Sequence, residues 1–124
     1  MFIALLMTNK TTQKVYRLCS LAEWEMSLFT GVLPINDDDI RDGFFHLSFE
    51  DQTKKIATKY YSQVPDLYIL TILVDNIDDI LRVEPNSNGE MFPHAYGPMP
   101  RSKVLFAKPA PSKDGVYHFP KELF

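Results

Sequence analysis

The chain has 124 residues, 45% of them hydrophobic and 23% charged, a size and balance for one globular domain with its own core. Sixteen acids against thirteen bases give a net charge of -3, which argues against duplex nucleic acid as the main partner, although Lys54, Lys55 and Lys59, and Arg101 and Lys103, make local basic spots. The single cysteine, Cys19, rules out an internal disulfide framework and a four-cysteine zinc site, and points to a reducing, cytoplasmic setting.

In chain order, Phe2 to Met7 is apolar but short. It lacks the basic start and cleavage site of a signal peptide, and no run approaches the ~20 apolar residues of a membrane span. Residues 1–8 are expected to form a first strand or an apolar arm, and Gln13–Cys19 a strand. Ser20-Leu21-Ala22-Glu23 matches a capping box, and Leu21, Trp24 and Leu28 fall at helical spacing before Gly31, so a short amphipathic helix is expected there. Val32 to Gly43 reads as a loop. Phe44–Leu47 is a short buried strand, and Ser48 caps a second helix with Phe49, Thr53, Ile56, Ala57 and Tyr60 on one face. Leu67–Val74 is a central strand, and Asp75–Leu81 a turn or short helix. Arg82–Glu84, Met91–Tyr96, Ser102–Lys108 and Gly115–Phe119 are expected to be extended. The order of elements predicts an α+β single domain over 1–124, with a mixed or antiparallel sheet and two main helices. No dinucleotide or Walker glycine motif is present.

Two segments carry the chemistry: Asp42-Gly43-Phe44-Phe45-His46-Leu47-Ser48 and Gly89-Glu90-Met91-Phe92-Pro93-His94-Ala95-Tyr96-Gly97-Pro98. Each sets a histidine among aromatics between Gly or Pro residues, and histidine changes charge most easily near neutral pH. One shared site built from both is expected. If Ser48 caps a helix, His46, Ser48 and nearby amides can hold an anion or a sugar hydroxyl. The plainer alternative makes His46 a half-buried strand residue and Ser48 only a cap. Pro93 and Pro98 stiffen the second segment and present His94 and Tyr96, or else form a rigid turn whose aromatics plug the core.

Arg82 and Glu84 share a strand face, offering a cation for phosphate and a carboxylate for a hydroxyl, or forming a solvated ion pair. Glu90 is a weaker alternative carboxylate. Asp37 to Asp39 reads as a solvated acidic loop, since its spacing does not fit a calcium loop. His46, His94 and His118 have no close pairing that supports a metal, and Cys19 reads as a core residue.

Val15-Tyr16, Glu23-Trp24, the Asp42–Ser48 segment, Gln52, Tyr60, Asp66-Leu67 and the Phe92–Pro98 segment together resemble the domain of unknown function 952 family. The resemblance runs from about Val15 to Val104, within a core of 13–108 and apart from a C-terminal extension of 109–124. It implies a small, mostly bacterial cytoplasmic domain with no established activity. The family is similar in fold to the ADP-ribosyltransferase superfamily, which grips NAD or a related ribose-phosphate in the cleft of a split α+β sheet. The resemblance thus implies NAD as a substrate, no metal, a nucleotide or ribose-phosphate ligand, no membrane partner, and a homodimer as an option. On that pattern His46 holds a ribose hydroxyl, Tyr60 or Tyr96 lies against the base, and Glu84 stabilises the cationic sugar, although the spacing departs from a standard transferase motif. His46, Glu84 and His94 are the catalytic candidates, and His46, Ser48, Tyr60, Arg82 and Tyr96 the binding candidates. The competing readings are a non-catalytic nucleotide or small-anion binding module and a protein-interaction domain.

Overall fold

The computed structural model describes residues 13–124, so the strand or arm expected over 1–8 lies outside the described residues. The first strand, β1 (Lys14–Ser20), runs directly into helix α1 (Leu21–Thr30). The capping box forms as expected: Glu23 N–H donates to Ser20 Oγ at 3.1 Å, and Ser20 N–H donates to Glu23 Oε1 at 3.0 Å. Gly31, at φ +78°, ends the helix in the left-handed region. The expected apolar face is out of phase, because Leu28 is 61% exposed and Ser27 is buried in its place. Arg101 accounts for this: its Nε donates to Ser27 Oγ at 2.9 Å, and its guanidinium lies 3.9 Å from the Trp24 ring centroid. A small hydroxyl at position 27 admits that cation, where leucine would block it.

The expected loop of 32–43 contains a helix, α2 (Asp37–Asp42). Asn36 caps it by accepting from Asp39 N–H at 2.9 Å, Asp39 Oδ2 accepts in return from Asn36 N–H at 2.9 Å, and Gly43 closes it at φ +79°. Strand β2 (Phe45–His46) is shorter than expected, and helix α3 (Glu50–Tyr60) follows. Its cap position is Phe49, not Ser48, and Phe49 N–H donates to Gln52 Oε1 at 3.0 Å. Ser48 is instead buried, its Oγ 2.9 Å from Thr53 Oγ1. Among the described residues three α-helices therefore replace the two main ones expected.

Strands β3 (Leu67–Leu73), β4 (Leu81–Pro85), β5 (Met91–Ala95) and β6 (Val104–Pro109) complete two three-stranded antiparallel sheets, ordered β1-β3-β6 and β2-β5-β4. The turn or short helix expected over 75–81 is a 3₁₀ turn at Val74–Asn76 that runs into a further turn, and the start of the 102–108 strand is another 3₁₀ turn at Arg101–Lys103. The sheets are stitched together where Tyr16 and Ser48 exchange backbone hydrogen bonds of 2.8 and 2.9 Å. The central strand β3 is buried on both faces, which explains its unbroken apolar run. Alternate residues serve two cores. Val15, Cys19, Leu70 and Ile72 pack with Leu33, Phe45 and Met99. Tyr16, Leu18, Leu67 and Ile69 pack with Ala57 of α3 and with Leu123.

The tail forms a small hairpin, β7 (Ser112–Lys113) and β8 (Val116–Tyr117), and is anchored rather than appended. Tyr117 donates to Val64 O, and Phe124 meets Tyr16 edge to face at 5.0 Å. The protein is thus a single α+β domain. Among the described residues no helix is long and apolar enough to cross a membrane.

Candidate functional site

Sheet β2-β5-β4 turns one face to the core, with Phe45 and Ala95 buried there, and the opposite face to the site. The register sets His46 against His94, and His94 against Arg82, in one row across three strands. The two histidine segments therefore meet, with imidazole centroids 5.8 Å apart. His46, Ser48, Tyr60 and His94 line one cleft of about 850 Å³, within the usual range for a small-molecule pocket. Its walls are α2, the exposed side of α3, and the Pro85–Asn88 turn between β4 and β5. A second cavity of about 530 Å³, between α1 and the ends of β2 and β5, is almost wholly apolar and lacks the histidines.

His94 is 6% exposed. Nδ1 lies 2.8 Å from Glu84 Oε1, and the same oxygen accepts from Tyr96 Oη at 2.7 Å. Since a carboxylate only accepts, this contact places the proton on Nδ1 and leaves Nε2 as the nitrogen able to accept. Nε2 has no partner among the described residues. Phe44 stacks on one face of the ring, with centroids 3.8 Å apart and planes at 23°. Hydrogen bonds from Tyr96 and then His94 lower the Glu84 pKa, so Glu84 is ionised at neutral pH. The bond to Glu84 in turn raises the Tyr96 phenol. Arg82 lies 4.7 Å from the Tyr96 ring centroid and braces it. Glu84, Tyr96 and Arg82 thus stand behind His94 and do not line the cleft.

His46 is held differently. Nδ1 is 2.8 Å from Asp39 Oδ1 and Nε2 is 3.0 Å from Asp42 Oδ2, so neither ring nitrogen is left free. Asp39 was read as part of a solvated acidic loop, but it is 4% exposed. The buried Arg17 grips it with Nη1 at 3.1 Å and Nη2 at 2.7 Å. The same guanidinium donates to His46 O at 3.0 Å and lies 4.0 Å from the Phe45 ring centroid. Burial alone would raise the Asp39 pKa. The bonds from His46 and Arg17, the Arg17 charge and the Asn36 amide outweigh it and hold the carboxyl well below the usual range.

Of the site residues, the sequence reading passed over Arg17, took Asp39 as solvated, and included Asp42 and Phe44 only as members of the Asp42–Ser48 segment, with no role assigned to either. Arg17 carried a usable signal, since a charge inside an apolar strand requires a buried partner. Asn36 and Asp39 carried another, the spacing of a capping pair. Glu90 is bound to Lys55 at 2.6 and 2.7 Å, tying the β4–β5 turn to α3. Cys19 is buried, which with the nearby Glu23 pushes its thiol up to about 12, so it is not a thiolate nucleophile at neutral pH.

The depressed Asp39 pKa fixes the sign of one pH effect. A carboxyl that ionises more readily when folded stabilises the protein above its unfolded pKa of ~3.9, and that contribution fades as pH falls towards the folded value. Urea unfolding is expected to give a nearly constant stability from pH 7 to 5 and a decline below about pH 4. Asp39→Asn should flatten the acid limb, while an unchanged limb would assign the decline to other carboxyls.

Fold and site together define an α+β domain with a histidine-lined cleft between its sheet and two helices. The chain belongs to the family described as protein of unknown function (DUF952), whose model matches residues 18–107. It is similar to protein CC0527 from Caulobacter crescentus. The crystal structure of that protein is 29% identical, with a TM-score of 0.80, over 89% of this chain and 97% of that one. The solution NMR structure of the same protein is 30% identical, with a TM-score of 0.73, over 84% and 90%. No curated protein matches the chain.

Proposed function

We propose that the protein is an enzyme of ribosyl chemistry, related to the ADP-ribosyltransferase pattern, that acts on NAD or a ribose-phosphate ligand in this cleft. The observation that supports this reading is the Glu84–His94 pair, with Tyr96 on the same carboxylate oxygen, beside a cleft of small-molecule size. A histidine with one nitrogen bound to a carboxylate and the other uncommitted is equipped for general acid–base work.

In the proposed step the N-glycosidic bond breaks and its electron pair leaves with the base. The oxygen of water or of an acceptor hydroxyl bonds to the ribosyl carbon, and its proton passes to His94 Nε2. Tyr60, 57% exposed on the cleft wall, suits the base. Asp42, which lines the cleft together with Asp38, is the carboxylate suited to the developing positive charge. Glu84 is then a positioning residue acting through His94, and His46 is a fixed part of the wall.

One observation favours binding without turnover: Phe44 covers the face of His94. Incubation with NAD, ADP-ribose and ribose phosphates, with products separated by chromatography, distinguishes the two readings. Cleavage by the wild type that His94→Gln abolishes supports the enzyme. Thermal stabilisation without product supports the binding module, and neither effect with any probe removes both.

A further inference from the structure

We infer that the apolar cavity between α1 and the ends of β2 and β5 is a second ligand site, and that it takes a small uncharged aromatic molecule seated against Phe44. This site is independent of the ribosyl reading and of whatever the histidine cleft takes.

At about 530 Å³ the cavity is of small-molecule size. It stays open because small residues stand on its wall. Gly43 is there to end α2 in the left-handed region, and a Cβ at that position would meet nothing within 4 Å. Gly97 and Ala95 add a hydrogen and a methyl where larger side chains would fill the space. The bulk of the wall is Met26, Leu33, Phe44, Phe45 and Met99. Two thioethers and two phenyl rings in one cavity favour an aromatic occupant over an aliphatic one, since sulfur packs well against a ring and rings pair edge to face or offset.

Charge of either sign is unmatched there. Among the described residues the polar side chains that line the cavity are Thr30 and Asp39. Thr30 Oγ1 is taken by the backbone of Val32, donating to its carbonyl at 3.0 Å and accepting from its N–H at 3.3 Å. The Asp39 carboxylate is held by Arg17 at 2.7 and 3.1 Å and lies 2.8 Å from His46 Nδ1. A cationic ligand therefore finds no free carboxylate and an anionic one no cation, and burying a charge without a partner is costly.

Phe44 fixes where the occupant sits. Among the described residues it alone lines both this cavity and the histidine cleft, and its ring stacks on His94 with centroids 3.8 Å apart. An aromatic molecule packed on Phe44 thus lies one ring away from His94.

NMR titration of the full chain with toluene, indole, cyclohexane, benzoate and benzylammonium, read at the methionine methyls and histidine rings, tests this. Toluene or indole is expected to give saturable shifts at Met26, Met99 and His94, but not at the exposed Met91 or at His118. It should bind at least about tenfold more tightly than either charged ring, and more tightly than cyclohexane. Ile35→Trp and Thr30→Trp, at exposed positions on the rim, should fill the space and weaken binding by about tenfold while the backbone spectrum stays native. A charged ring that binds as tightly as toluene overturns the uncharged class, cyclohexane binding as tightly overturns the aromatic one, and a silent His94 overturns the seat on Phe44. No saturable binding of any probe, or binding that neither tryptophan variant weakens, overturns the site. None of these probes carries ribose or phosphate, so each of these failures leaves the ribosyl reading standing.

Discussion

Replacing Asp39 with alanine is expected to lower the unfolding free energy by roughly 3–5 kcal/mol, because it strands the buried Arg17 charge without a partner. The chain sits on a total of only about 5–15 kcal/mol, so this is the largest single-site loss the fold implies. Among the described residues Arg17 pairs with no carboxylate other than Asp39, and its Nε lacks a partner. The same change removes acceptors from the Asn36 amide and from both His46 N–H positions that face Asp39. Arg17→Met with Asp39→Leu removes both charges and should recover much of the loss, since an apolar pair of similar volume often replaces a buried ion pair without cost. Urea denaturation of the single and double variants measures both effects. A single variant within about 1 kcal/mol of the wild type would show that the pair is not a structural keystone.

The second large effect concerns His94. His94→Gln is expected to lower turnover of the ribosyl substrate by roughly 10²–10⁴-fold, the usual contribution of a positioned acid–base group. Glu84→Gln keeps an oxygen that can accept from Nδ1–H but removes the charge. It should lower kcat by a smaller factor and leave KM close to the wild-type value, because Glu84 stands behind His94 and outside the cleft. A Glu84→Gln variant that raised KM alone would place that carboxylate against the substrate instead. Loss of folding in either variant would be seen in the same urea experiment, which separates it from loss of chemistry.

The fold was legible where local signals were strong. The Ser20–Glu23 box, the apolar run of β3 and the Arg82–Glu84 alternation each specify one conformation, and each formed with nearly the expected bounds. Helix α2 was hidden because three aspartates in a row look like a solvated loop, while the tertiary partner of the third, Arg17, lies twenty-two residues away. Leu28 lost its inward place to an arginine seventy-four residues from Ser27, which no local period reveals. The meeting of His46 and His94 was anticipated from the likeness of their segments, but its cause is strand register, which the sequence does not print. The roles of the two histidines separate only in three dimensions. Among the described residues, one has both nitrogens taken by carboxylates and the other keeps one without a partner.

The most direct test of the account is a two-dimensional ¹H–¹⁵N NMR titration of the labelled protein with nicotinamide mononucleotide, ribose 5-phosphate and NAD. The account predicts saturable shifts concentrated at His46, Lys59, Tyr60, Ser87, Asn88 and His94. Shifts confined to the apolar cavity around Met26, Leu33 and Met99, or none with any ligand at millimolar concentration, would contradict it.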